Sequence, residues 1–132
     1  MDIQRNQNEN PQRATQKVKM AKYKAKLIRV VDGDTIDAEI DIGFDIFVRK
    51  RIRLWGINAP ETRSRDKSEV KSGKETSKRL IAILALSNDE FELVTHGDGK
   101  YGRCLGEIFV KEHKESVNRV LINEGLATEY EE

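Results

Sequence analysis

The chain has 132 residues, 37% hydrophobic and 36% charged, with a net charge of +1. That length suits one domain plus a tail. No apolar run approaches a membrane span, and the single cysteine, Cys104, excludes an internal disulfide or a cysteine zinc site. The polar N-terminus lacks the apolar stretch of a signal peptide, so the chain as it stands is expected in the cytoplasm, or is a mature form whose signal has been removed.

Met1 to about Lys22 carries five cations against two acids, is rich in Gln, Asn and Lys, and has no apolar periodicity. It reads as a disordered tail before a single domain over residues 23–132. Ala25 to Val31 is rich in β-branched residues and reads as a strand. Asp32-Gly33-Asp34 is a turn signal. Thr35 to Ile42 alternates, with Ile36, Ala38, Ile40 and Ile42 on one face. Gly43 breaks that strand, and Phe47 to Ile57 alternates again, predicting a three-stranded meander. Thr62 to Val70 is charged and aperiodic, and reads as a loop. Ser72 and Glu75 fit a capping box for a helix running to about Leu86, with Leu80, Ile81 and Leu84 as its apolar face. Phe91 to Thr95 is a fourth strand, Gly97 to Gly102 a glycine-rich connection, and Arg103 to Val110 a fifth strand. A second helix is predicted over Ser116 to Glu124, with Val117, Val120 and Leu121 inward and Gly125 as its cap. His96 and His113 have no ligand spacing and read as surface residues. The order β-β-β-α-β-β-α is that of a five-stranded OB-type barrel, an α+β fold built mainly of strands.

Several residues in this frame carry chemistry. Asp32 and Asp34 flank a glycine at a strand-to-strand turn. They are either part of the oxygen shell of a hard cation or simply the residue types that an Asp-Gly turn prefers. Arg53 and Arg103 present planar forks of donors that match phosphate oxygens; the alternatives are a surface strand residue and a loop salt bridge. Glu61 follows Pro60, which stops the strand and defines its position, so it suits a general base toward a bound water or an ordinary loop acid. Tyr101 lies between Gly99 and Gly102, where its hydroxyl can reach a phosphate or its ring a base.

Taken together, Asp32-Gly33-Asp34-Thr35, then Arg53-Leu54-Trp55-Gly56-Ile57-Asn58-Ala59-Pro60-Glu61-Thr62, then Tyr101-Gly102-Arg103 resembles the thermonuclease (staphylococcal nuclease-like) family over about Lys24 to Tyr130. The resemblance implies an OB-type barrel that cleaves DNA and RNA with Ca²⁺. It implies calcium ligands at Asp34, Asn58 and the Ala59 carbonyl, with Asp32 in support. It gives catalytic roles to Arg53, Glu61 and Arg103, and places Lys100 and Tyr101 on the nucleotide phosphate. A metal-positioned water attacks, leaving 3′-phosphate and 5′-hydroxyl ends. The implied partner is nucleic acid, preferably single-stranded, bound by a monomer with no membrane role.

Three departures stand out. Asn58 occupies a position where the family usually has Asp, which removes a negative charge worth a few kcal/mol beside a divalent ion at an effective dielectric of ~20. Calcium binding is therefore expected to be weak, or to need the substrate phosphate. Gly99 stands where many members have an acid, and the prototype's C-terminal helix has no counterpart before Glu132. The alternative function is a binding module on the same scaffold. Asn58 argues for it; against it, aromatics make up only 6% of the chain, whereas single-strand binders stack bases on several.

Overall fold

The computed structural model describes residues 21–98 and 104–131. The tail expected before the domain lies almost wholly outside them, as do Lys100, Tyr101 and Arg103. The described elements are β1 (Lys22–Asp32), β2 (Thr35–Asp41), β3 (Phe47–Leu54), β4 (Ile57–Asn58), α1 (Lys67–Ala85), β5 (Glu90–Asp98), β6 (Cys104–Phe109), α2 (Val117–Asn123) and β7 (Thr128–Glu129). Five strands close a barrel in the order β1-β2-β3-β6-β5, while β4 and β7 form a separate two-stranded pair. The predicted barrel and helix order are therefore present, and the two short strands are additions.

Closure rests on one parallel contact. Among the described residues, β3 pairs with β2 along Phe47 to Arg53, and with β6 through Ile52, Arg53 and Leu54, opposite Cys104, Leu105 and Gly106. Alternation sends Ile36, Ala38 and Ile40 of β2 and Ile52 and Leu54 of β3 inward, where they meet Leu93 and Ile108. Leu80, Ile83 and Leu84 of α1 and Val117, Val120 and Leu121 of α2 complete the core. Gly106 of β6 leaves no room for a Cβ against the Leu93 side chain, so the barrel wall needs glycine there. Asn118, 2% exposed, ties α2 to the closure. Its amide donates to the Trp55 carbonyl at 2.8 Å and the Gly106 carbonyl at 3.1 Å, and its oxygen accepts from Ile108 N–H at 3.2 Å. A buried amide satisfied on three sides fixes one packing of α2.

Four sequence expectations need correction. The first helix starts before Ser72: Asp66 is its N-cap, accepting from Ser68 N–H at 2.9 Å, so much of the stretch read as a loop is helical. Its first turns face solvent and carry no apolar period to betray them. Ile42 and Ile81 are exposed, because the chain turns at Gly43 and because Ile83 rather than Ile81 lies on the packed face of α1. The third strand stops at Leu54 rather than Ile57, since Gly56 has a positive φ of 80° and turns the chain. His96 is not a surface residue: its side chain is 11% exposed, its ring stacks on Trp55 at 3.9 Å, and its Nε2 lies 2.9 Å from Glu107 Oε1.

The outer wall is held by charge. Asp37 of β2 lies between its cross-strand partners Arg29 and Arg51. Arg51 donates from Nε at 2.8 Å and from Nη2 at 3.1 Å, and Arg29 donates from Nε at 3.0 Å. The Arg51 bonds, opposed by burial and assisted by Arg29, lower the Asp37 pKa from 3.8 to about 2. A carboxyl whose pKa falls on folding contributes stability above its unfolded pKa and loses it as pH drops through the folded one. Asp37→Asn is therefore expected to lower the urea midpoint at neutral pH, with the difference from wild type shrinking between pH 3.8 and about 2. A difference that stays constant across that window would contradict the ion-pair account.

Candidate active site

The β1–β2 turn is the seat of the site. Asp34 N-terminal to β2 is fixed through its backbone carbonyl, which accepts from Leu54 N–H at 2.8 Å. Its carboxylate accepts from Thr35 Oγ1 at 3.0 Å and from Ala59 N–H at 2.9 Å. The turn thereby grips both the end of β3 and the segment that follows β4. Asp32 opens the same turn and accepts from Thr62 Oγ1 at 2.7 Å. Residues 58–62 thus wrap the turn, held at Ala59 by Asp34 and at Thr62 by Asp32.

Arg53 lies across from Thr35 in the β2–β3 register and projects into this loop. Its Nη1 donates to the carbonyls of Leu54 at 3.1 Å and Ile57 at 2.8 Å. Nη1 is also 3.6 Å from Asp34 Oδ2, with the two side chains 12% and 14% exposed. Nη2 reaches Asn58 Oδ1 at 3.5 Å, and the Tyr130 ring stands with its centroid 5.7 Å from the guanidinium carbon. Five separate groups therefore surround one guanidinium and fix its place, the kind of preorganisation that can stabilise developing charge.

Glu61 is exposed, and its backbone N–H donates to Glu69 Oε2 of α1 at 3.2 Å. Helix α1 comes close because its facing residues are small. A Cβ on Gly73 would lie 2.6 Å from the Pro60 carbonyl oxygen, and one on Gly33 would lie 2.6 Å from Thr76 Cγ2 and 3.0 Å from Ala59 Cβ. Thr76 cannot swing away freely, since its hydroxyl donates to the carbonyls of Leu126 at 2.7 Å and Ser72 at 3.1 Å.

Asp34 thus joins Ala59 and Arg53, and Arg53 joins Asn58, while Asp32 is held to Thr62 and the Glu61 backbone to Glu69. Arg103, Lys100 and Tyr101 lie outside the described residues; Cys104, which opens β6, pairs with Ile52 beside Arg53. The motifs gave no sign of Tyr130, Thr62 as a partner of Asp32, or Glu69. Thr62 at least stood within the Pro-Glu-Thr stretch, whereas Tyr130 carries no local signal.

The oxygen-only donors of Asp34 and Asn58 fit a hard cation. Their formal charge is a single minus, already faced by Arg53. Among the described residues, no cluster of three or more His, Cys, Asp or Glu side chains forms a metal cage. Two such side chains supply only part of the oxygen shell that a hard cation takes.

The staphylococcal nuclease homologue family matches residues 51–132. The chain is 32% identical over 102 residues to a thermonuclease of Staphylococcus hyicus, covering 77% of this chain and 56% of that protein. It is 26% identical over 119 residues to a micrococcal nuclease of Shigella flexneri, covering 83% and 60%. It is 29% identical over 118 residues to the protein ParB of Escherichia coli, covering 83% and 59%. The chain therefore spans less than two thirds of the length of these relatives.

Gly33→Ala is expected to destabilise the chain by about 1–3 kcal/mol through overpacking against Thr76. Adding Thr76→Ser, which removes the clashing methyl, should recover part of that loss in urea melts. Additive losses in the double variant would show that the two residues do not meet.

Proposed function

The chain belongs to the staphylococcal nuclease family, and from that premise we propose that it hydrolyses phosphodiester bonds of DNA or RNA, preferably single-stranded, as a monomer. The observation that carries this is the Arg53 guanidinium, held on two carbonyls beside Asp34 and Asn58 on the family's motif. Nuclease names among the relatives support the same reading.

In this reaction Arg53 and Arg103 bind the phosphate oxygens and neutralise the charge that builds during attack. Glu61 takes a proton from the attacking water. The water oxygen bonds to phosphorus and the bond to the 5′ oxygen breaks. That oxygen takes up a proton and leaves as a 5′-hydroxyl, while the phosphate stays on the 3′ end. Lys100 and Tyr101 contact the nucleotide phosphate. The Asp34 and Asn58 side chains and the Ala59 carbonyl would hold a divalent cation, Ca²⁺ in this reading, with Asp32 supporting the loop through Thr62. When bound, such an ion adds charge neutralisation and makes water a better nucleophile.

Glu61→Gln, Arg53→Ala and Arg103→Ala are each expected to lower cleavage of heat-denatured DNA by ~10²–10³-fold with unchanged circular dichroism. Full activity in all three would refute the assignment, and unfolding of the variants would make the residues structural.

A second reading, binding without cleavage, is favoured by Asn58, which leaves Asp34 as the one carboxylate paired with Arg53 among the described residues. Asn58→Asp is expected to tighten Ca²⁺ in the nucleotide-free protein by roughly tenfold or more, read by calorimetry. An unchanged titration would mean that this side chain does not face the ion.

A further inference from the structure

The segment that follows β3 is tied, residue by residue, to α2 and β7. The Trp55 carbonyl accepts from the Asn118 amide at 2.8 Å. The Gly56 carbonyl accepts from Tyr130 N–H at 2.8 Å. Ile57 and Asn58 pair with Glu129 and Thr128, and Thr128 Oγ1 donates to the Asn58 carbonyl at 3.3 Å. Glu129 is held in turn by Arg119 of α2, whose Nη1 donates to its carboxylate at 2.9 Å. Two neighbours on one helix, Asn118 and Arg119, thus grip both sides of this assembly. A short two-stranded pair has little stability by itself, so β7 takes its place from α2 as well as from β4.

The same assembly supplies much of what surrounds Arg53. The Ile57 carbonyl accepts from Arg53 Nη1, as does the Leu54 carbonyl, and Asp34 Oδ2 lies beside the same nitrogen. Bonds gathered on one nitrogen fix that corner of a planar group but leave the group able to tilt about it. On Nη2 the contact with Asn58 Oδ1 is long, at 3.5 Å. The Tyr130 ring, with the guanidinium carbon over it at 5.7 Å, closes one side against such a tilt. A ring face attracts a cation, and does so more strongly where water is reduced; the Arg53 side chain is only 12% exposed. The edge of the fork formed by Nε and Nη2 then points where a phosphate can take two parallel bonds.

We propose that β7 is a positioning arm of the active site, in which Tyr130 holds the Arg53 guanidinium in the pose that meets the phosphate and Arg119 sets Tyr130 through Glu129. Tyr130 touches no reacting atom and acts only through Arg53. The proposal rests on the nuclease reading for the group that Arg53 meets, whereas the hold of the ring on Arg53 is testable without it. The charge that Arg53 neutralises builds during attack, so a tilted guanidinium costs turnover more than it costs substrate binding. Tyr130 is 50% exposed, so replacing it spares the core.

Tyr130→Phe, Tyr130→Leu and Arg119→Met test it in the ¹⁵N-labelled chain. The first readout is the Arg53 Nε–H resonance, assigned by its loss in Arg53→Ala, because a ring beside the guanidinium shifts it. Tyr130→Phe should leave that resonance in place and Tyr130→Leu should move it. The second readout is kcat and KM on single-stranded DNA. Tyr130→Leu should lower kcat by roughly fivefold or more while KM stays within about twofold. Tyr130→Phe should keep wild-type turnover, since the ring and not the hydroxyl faces the cation. Arg119→Met should lower kcat by about two- to threefold, and adding Tyr130→Leu should cost less than the product of the two single losses. A resonance or a kcat that ignores Tyr130→Leu would overturn the positioning role and leave the nuclease proposal standing. An equal loss in Tyr130→Phe, or a loss that falls on KM alone, would overturn it too. A resonance that moves in a chain that cleaves nothing would uphold the hold on Arg53 and overturn the nuclease reading.

Discussion

The Asp34 carboxylate is the point at which three separate segments become one structure. It accepts from Ala59 N–H, lies 3.6 Å from Arg53, and belongs to a residue whose own carbonyl ties down Leu54. The β1–β2 turn, the end of β3 and the stretch after β4 are thereby locked together. A partly buried charge pair contributes little by itself to stability, but removing one partner leaves the other stranded. Its larger consequence is positional: it decides where a guanidinium and an amide oxygen stand before a ligand arrives.

Around that point the fold removes bulk. Gly33 and Gly73 let α1 approach within the space a methyl group would need, so the helix clamps the Glu61 loop from behind. Asn118 does the same for the closure, with its amide lodged between Trp55, Gly106 and Ile108. Among the described residues, the parallel contact between β3 and β6 runs over three pairs.

Much of the architecture was legible in the sequence because it follows from short-period patterning. Ile36, Ala38 and Ile40 in β2, and Val117, Val120 and Leu121 in α2, declare their inward faces, and all are buried. What escaped reading was non-local. The β4–β7 pair joins Ile57 to Glu129 and Asn58 to Thr128, two residues a side, too short for any local pattern. The first turns of α1 are solvated and so lack a period. The turn at Asp32 was plain in the sequence, but its side-chain partner Thr62 lies thirty positions along the chain. Tyr130 over Arg53 was invisible for the same reason. Asn58 is the reverse case: its departure from the motif was plain in the sequence, and its side chain stands 3.5 Å from Arg53 Nη2.

The most direct test is the chemistry of the ends. Single-stranded DNA of defined sequence would be incubated with the chain and Ca²⁺, with a chelator control, and the fragment ends identified by mass spectrometry. The account predicts 3′-phosphate and 5′-hydroxyl ends that disappear with chelator. Fragments with 5′-phosphate and 3′-hydroxyl ends would contradict it, because the 3′ oxygen would then be the leaving group and the roles given to Glu61 and Arg53 could not stand.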